Sequence, residues 1–570
     1  MKREIPVDHN AELDLYTRTY YSLLRSTGDV EVRTFEEAHA YSKSTLHEGA
    51  LNPTPDLAAF AYAAGRLPES IVQTERLILG QSHELFEAAG YDVRKWRVER
   101  TRGRRRPLRF DGHATLAVFI ASASDIDDLV PIVTAYQIEW NKMHACLQDA
   151  PAGAVPKPAE LARLLGIAVE DVPRLAAAFG SKKAFEHGIR EIIARPLRLK
   201  LRMLSASYSQ YQRAAQRWWG GVEPTYIRKT PPRRPPVYFI SSNTHAIANL
   251  LGGYTRAHLG PISSWVKKED HEGLGAELKS AETAKDEAKR LSILYYCLRG
   301  YIHAKNDRMQ EVRDFEAKGG LLHLSEPGHI DVDAQIFEIK KMDHAHIDPR
   351  LDVRGLDKLK KSDAVIINID YPLGMAAYHL LSRVGQGVGE IRGIHVMGKA
   401  ATLNGRVGDV MISGTVFDEH SRNTFLFKNA FSARDVMPYL VHGSVFDSQR
   451  ALTVRSAFLQ NKEYMSGFYQ EGYTVLEMEA GPFLSAVYEL VNPTRVPYGE
   501  IIHLTPSTPF DVGILHYASD TPYSRRQSLL SKSLSYFGVD STYACAIAIV
   551  RRIFAREVQV QSGAGTSIRP

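Results

Sequence analysis

Cysteine is scarce. The 570 residues hold three, Cys146, Cys297 and Cys545, far apart and in apolar surroundings. No Cys-x-x-Cys pair occurs, so neither a disulfide framework nor a structural zinc site is expected. Long apolar runs are missing as well: no stretch approaches the roughly 18 residues of a membrane span. The opening Met1-Lys2-Arg3-Glu4-Ile5-Pro6 has no apolar core of the signal-peptide kind. No membrane partner is expected, and a reducing cytoplasm is the expected location. Excess charge is also slight. Lys and Arg number 71 against 65 Asp and Glu, a net +6 spread over the whole chain, too mild to imply nucleic acid. Metal-ligand spacing is absent too. Asp343-His344-Ala345-His346-Ile347-Asp348 places histidines at i and i+2, not at the i, i+4 of a zinc helix. It reads as a polar loop, and no metal or other cofactor is expected.

What remains is ordinary globular material, 44% hydrophobic and 24% charged. Its length implies two to four domains. Residues 1–232 read as a mainly helical domain. Leu13, Tyr16, Tyr20, Leu23 and Leu24 recur at helical spacing, and Ser124-Asp125 opens a core helix running to Trp140. Arg94 to Pro107 is the densest basic run, read as a solvated or acid-paired loop because it lacks the interleaved aromatics of a nucleic-acid platform. Pro158–Ala176 has a helix-turn-helix outline, but Glu170 and Asp171 stand where a DNA reader needs Arg, Asn or Gln. Arg195 to Trp219 combines arginines with aromatics, a pattern of a subunit surface or of core packing with snorkelling arginines.

Lys229 to Pro236 holds four prolines and admits neither helix nor central strand. Residues 233–560 then follow an α/β rhythm, broken at 265–350 by a helical insertion whose apolar face is Leu291, Leu294, Tyr295, Leu298 and Ile302. A tail, 561–570, is expected to be flexible. Within the α/β part, the apolar strand Tyr473–Leu476 runs into Glu477-Met478-Glu479, and Ile514–Ala518 runs into Ser519-Asp520. Carboxylates at the ends of core strands are costly to bury without partners, and strand ends are where open α/β sheets bind ligands. The two acids are therefore read as one site.

Three segments in this order carry a resemblance: Gly398-Lys399-Ala400-Ala401-Thr402-Leu403 with Val407-Gly408-Asp409-Val410; Val475-Leu476-Glu477-Met478-Glu479-Ala480; and Ser519-Asp520. Gly414 to Asn423 adds to it. Residues 237–555 resemble the nucleoside phosphorylase and nucleosidase superfamily, which includes hexameric purine nucleoside phosphorylases, methylthioadenosine nucleosidases and AMP nucleosidases. The resemblance implies a three-layer α/β domain with a mixed central sheet, and a homo-oligomer. It also implies cleavage of an N-ribosidic bond in a purine nucleoside or nucleotide. Asp520 is then the acid that protonates the leaving base, and Glu479 the acceptor for the ribose hydroxyls. Substrate contacts fall to Met478 beneath the sugar, Ser519 orienting Asp520, Glu477, Gly398, Lys399, Ala400 and Arg422. AMP nucleosidases likewise carry an extra N-terminal domain.

The chain departs from the family at one informative place. Val396 stands where many phosphorylases hold phosphate with arginine, so water is the expected nucleophile. Two other readings remain open. One is phosphorolysis, with inorganic phosphate as co-substrate at an altered site. The other is a catalytically silent nucleotide sensor whose helical domain binds a partner.

Overall fold

The computed structural model describes residues 11–26, 28–101, 103, 108–151, 154–205, 207–229, 232–327, 330–506, 508–521 and 536–563. It holds two mixed sheets with many helices.

The N-terminal region is expected to be mainly helical, but it is built around a six-stranded sheet. Its strands are β1 (Val30–Glu31), β2 (Arg76–Gly80), β3 (Arg97–Glu99), β4 (Leu108–Phe110), β5 (Thr115–Phe119) and β6 (Lys200–Met203), in the order β1-β6-β2-β5-β4-β3. β2 lies parallel to β5 and β6. Arg76-Leu-Ile-Leu-Gly and Thr115-Leu-Ala-Val-Phe are short and almost continuously buried. Strands covered on both faces lose the alternation that marks a half-exposed strand, and so they escape a search by period. The helix Ala123–Cys146 is the spine of this region, opened by a reciprocal Ser122/Asp125 capping box. Beside it runs a buried polar chain. His39 bonds Tyr16 at 3.2 Å and His47 at 2.9 Å, His47 bonds Glu139 at 2.7 Å, and Glu139 accepts from Lys142 at 2.6 Å. Such groups stay inside only because each finds a partner.

The segment 158–178 forms two short helices around a left-handed Gly166. Leu161, Leu165, Val172 and Leu175 point into the N-terminal core, which is the packing reading of that outline. The basic run pairs locally where it is described: Arg94 with Glu84 and Glu87, Lys95 with Asp92, Arg97 with Glu99. Arg102 and residues 104–107 lie outside the described residues. Of the two readings of Arg195 to Trp219, core packing holds for Trp218 and Trp219, which are fully buried. Trp218 donates to the carbonyl of Val332 at 2.8 Å. The arginines around them snorkel outward, which is what left the surface reading open.

A two-stranded ribbon, β7 (Arg228–Lys229) with β8 (Pro232–Arg233), joins the regions. The second sheet has eleven strands: β9 (Val237–Ser241), β10 (Leu321–Leu324), β11 (Ala334–Glu338), β12 (Val365–Ile369), β13 (Ile391–Thr402), β14 (Val410–Asp418), β15 (Thr424–Leu426), β16 (Val445–Thr453), β17 (Tyr473–Glu477), β18 (Ile501–His503) and β19 (Asp511–Asp520). The expected helical insertion is helical only through Lys318. After that, β11 pairs antiparallel with β12 and β10 antiparallel with β11, extending the sheet. Asp343 pairs with His346 at 2.6 Å, and Asp348 with Arg350 at 2.7 Å, so these acids serve as structural partners. The expected tail lies, from residue 564, outside the described residues.

β13 is the strand on which the second sheet turns. It pairs with β9 through Val396, then with β17 at Ala401 and Thr402. Its other edge is held by β19 throughout. β17 continues through β16 and β14 back to β19, closing a five-strand ring. Leaving an open sheet for a ring forces β13 to part from β9 before it meets β17.

The two regions share a core. Phe458 and Leu459 of the second region sit in the N-terminal hydrophobic cluster, and Thr45 donates to the carbonyl of Gln460 at 2.7 Å. Arg455 reaches the buried Asp127 at 3.1 Å, and Tyr20 donates to the same carboxylate. A second ion pair, Arg422 with Asp14 at 3.2 Å, is more exposed. Removing Arg455 strands a buried carboxylate, whereas removing Arg422 frees a wetter one. Arg455→Met is therefore expected to cost about 3 kcal/mol, and Arg422→Met no more than about 1 kcal/mol. Urea midpoints measured side by side check this, and equal losses contradict it.

Candidate functional site

The place where β13 parts from β9 is the site. From Met397 to Ala400 its β9/β17 edge carries no strand among the described residues, because β9 stops at Val396 and β17 begins at Ala401. The C-terminal ends of the parallel strands β9, β12, β13 and β19 all lie at this end of the sheet. β17 and β19 flank β13 on opposite edges: Ala401 is paired with both Leu476 and Asp520. At about 4.8 Å per strand the two flanking strands are about 10 Å apart. Glu479 follows the end of β17 and Asp520 ends β19, so the two acids stand on either side of the opening.

Each acid is held differently. Glu477 is 4% exposed and acts locally. One oxygen accepts the N–H of Glu479 at 2.7 Å and of Ala480 at 2.6 Å, and the other accepts from the Thr453 hydroxyl. It caps the helix Ala480–Val491. The substrate contact expected of it is not what its bonds show. Glu479 is half-buried and accepts the N–H of Gly374 at 3.2 Å. Burial, and then the neighbouring Glu477 charge, push its carboxyl up to about 8; burial raises Glu477 to about 7. His516, 4.0 Å from Glu477 and lowered to about 4 by burial, is neutral and compensates neither.

Asp520 is half-buried. Ser519 donates to it at 3.0 Å and lies 3.4 Å from the carbonyl of Ala400. Burial raises Asp520 above the usual carboxylate range, against the Ser519 hydrogen bond and the charges of Lys399 and Arg66. Lys399 is exposed on β13, opposite Tyr517. Two nearby acids, Asp409 and Asp418, accept backbone N–H groups of Arg406, Ser444, His420 and Ser421. A Cβ at Gly398 would make ordinary contact with the Tyr371 ring at 3.7 Å and with His516 at 3.8 Å. Met478 packs on the cluster of Phe417, Leu452 and Phe468. Arg422 is not brought to this opening by its contacts. It lines a separate cavity of about 270 Å³ between the regions, with Asp14, Asp127, His420 and Arg455.

Two contributors were not singled out in the sequence. Gly374, in a turn after β12, supplies the N–H to Glu479, and its positive φ of 51° is the signal that only a structure exposes. Arg66, from the N-terminal region, lies against the ring of Tyr62, with 3.4 Å from guanidinium carbon to ring centroid. Tyr62 in turn meets Phe458 edge-on. Nothing in the spacing of residues 60–70 ties them to a site 450 residues away in the chain.

A family model, described as a family of unknown function (DUF6909), matches residues 32–555. The chain belongs to this family. The DUF6909 match spans both regions, so they recur together as one unit. No curated protein matches the chain. Among solved structures, the chain is similar to a methylthioadenosine/S-adenosylhomocysteine nucleosidase from S. pneumoniae at 10% identity, covering 40% of this chain and 87% of that one, with a TM-score of 0.26. Similar too are a uridine phosphorylase from Schistosoma mansoni (12% identity, 34% and 71% covered, TM-score 0.25) and a methylthioadenosine phosphorylase from an antarctic soil metagenomic library (9%, 36% and 74%, 0.25). Likeness at these scores establishes neither a shared fold nor a shared activity.

The raised carboxyls give a pH signature. A group whose folded value lies above its unfolded one near 4.5 binds protons more tightly when folded. Its contribution is complete at low pH and lost as pH rises through the folded value. Glu477 and Glu479 lose theirs through about 7 and 8, and Glu316 and Glu419, also raised to about 7, add to the slope. The melting temperature of the ligand-free protein is expected to fall between about pH 4.5 and about pH 8, and Glu477→Gln to flatten that fall. A pH-independent melting temperature contradicts the assignment.

Proposed function

We propose that this DUF6909 protein cleaves the N-ribosidic bond of a purine nucleoside or nucleotide, with water as nucleophile. One observation carries the reading: Glu479 and Asp520 stand on opposite edges of β13 where that strand has shed one neighbour. The order of the three motifs that resemble the nucleoside phosphorylase and nucleosidase superfamily supports it.

The chemistry divides between the acids. The sugar sits over Met478, with its hydroxyls donating to Glu479. Such donors favour the ionised carboxylate, and that charge then faces the positive character developing on the ribose. Asp520, whose hold on a proton burial strengthens, protonates the base as the C–N electron pair leaves with it. Ser519 fixes the carboxyl for that transfer. Water adds to the anomeric carbon and releases its proton to solvent. Val396 is buried and apolar where the related phosphorylases hold phosphate, which favours water over phosphate. Lys399, exposed at the opening, is the group that an anion on the substrate would meet.

Incubation with AMP, adenosine, inosine and methylthioadenosine, with and without phosphate, tests the reading by chromatography of the free base. Base released without phosphate is the expected result; release that requires phosphate replaces hydrolysis with phosphorolysis. No release, together with a nucleoside-induced rise in melting temperature, replaces both with a nucleotide-sensing role. Asp520→Asn is expected to lower turnover by about 10²- to 10⁴-fold with little change in melting temperature. Undiminished turnover in that variant removes Asp520 from its role.

A further inference from the structure

The turn that bonds Glu479 is gripped from the N-terminal region. Three consecutive residues, 373 to 375, follow β12. The carbonyl of Leu373 accepts from Ser122 Oγ at 3.4 Å, and the N–H of Met375 donates to Ser124 Oγ at 2.9 Å. Between these two bonds, the N–H of Gly374 points to Glu479 Oε1 at 3.2 Å. Ser122 and Ser124 are both fully buried. They are the cap and the second helical residue of Ala123–Cys146, whose first turn is fixed by Asp125 bonding the N–H groups of Ala121 and Ser122 at 2.8 and 3.1 Å. The fit is close. Gly374 has φ +51°, and a Cβ there would stand 2.2 Å from Ser124 Oγ.

We infer that Ser124 is a positioning residue for Glu479: by accepting the Met375 N–H, it holds the Gly374 turn so that its N–H meets the ribose-side carboxylate. The role rests on the function proposed above for Glu479, but the geometry stands without it. Among the described residues, the charged groups packed there do not take over this task. Glu477 on β17 repels Glu479, Asp418 on β14 acts on Glu477 by raising it, and His516 on β19 is neutral. Asp125 is committed to its own helix. From across the domain boundary Ser124 thus holds the turn whose Gly374 N–H meets the Glu479 carboxylate, and the N-terminal region is a working part of the site.

The experiment is Ser124→Ala in the full chain, with Gly374→Ala as the second variant that displaces the same turn by a clash. With the turn loosened, the ionised Glu479 loses a donor and its proton affinity rises. The Glu479 carboxyl C=O band, identified by its disappearance in Glu479→Gln, is followed by difference infrared titration. In Ser124→Ala it is expected to titrate at higher pH than in the parent. With the nucleoside that the parent cleaves, kcat/KM is expected to fall by roughly 10- to 100-fold, with its alkaline-activated limb moved the same way. An infrared titration identical in parent and both variants overturns the inference. If the parent releases no base at all, the functional reading fails, and the infrared comparison still decides whether Ser124 positions Glu479.

Discussion

A strand in a sheet has two edges, and each must be hydrogen-bonded or wet. β13 obeys this with two different neighbours on one edge, β9 and then β17, and it cannot do so without a gap between them. Closing a five-strand ring onto an open sheet creates that gap, and the gap is where backbone, ligand and water can meet. The placement of Gly398, the approach of Tyr371 and the spacing of Glu479 and Asp520 all follow from it.

The second constraint is the cost of acids at the rim of a core. A carboxylate that loses water must gain donors or a proton. The protein uses both solutions within three residues. Glu477 is surrounded by donors and works as a cap; Glu479 has weaker support, and burial with the Glu477 charge keeps its carboxyl raised to about 8.

The sequence exposed the acids because strand patterns end abruptly on them, and it exposed the boundary at 229–236 because proline excludes regular structure. It concealed what depends on distance. The N-terminal sheet was illegible because its strands have two to five residues and its central ones no polar alternation. Trp218 and Trp219 were ambiguous between surface and core because Arg213 and Arg217 stand beside them. Glu477 and Glu479 are chemically identical in the string, and only the direction of the turn after β17 separates a cap from an open carboxylate. Ser124 was legible as a helix start, but not as the neighbour of residue 375.

Phe458 and Leu459 complete a hydrophobic cluster otherwise drawn from residues 13–211. During synthesis, that cluster stays incomplete until most of the second sheet has left the ribosome. Until then the first region lacks the ring that Tyr62 and His39 pack against, so its core is completed by a plug encoded far downstream.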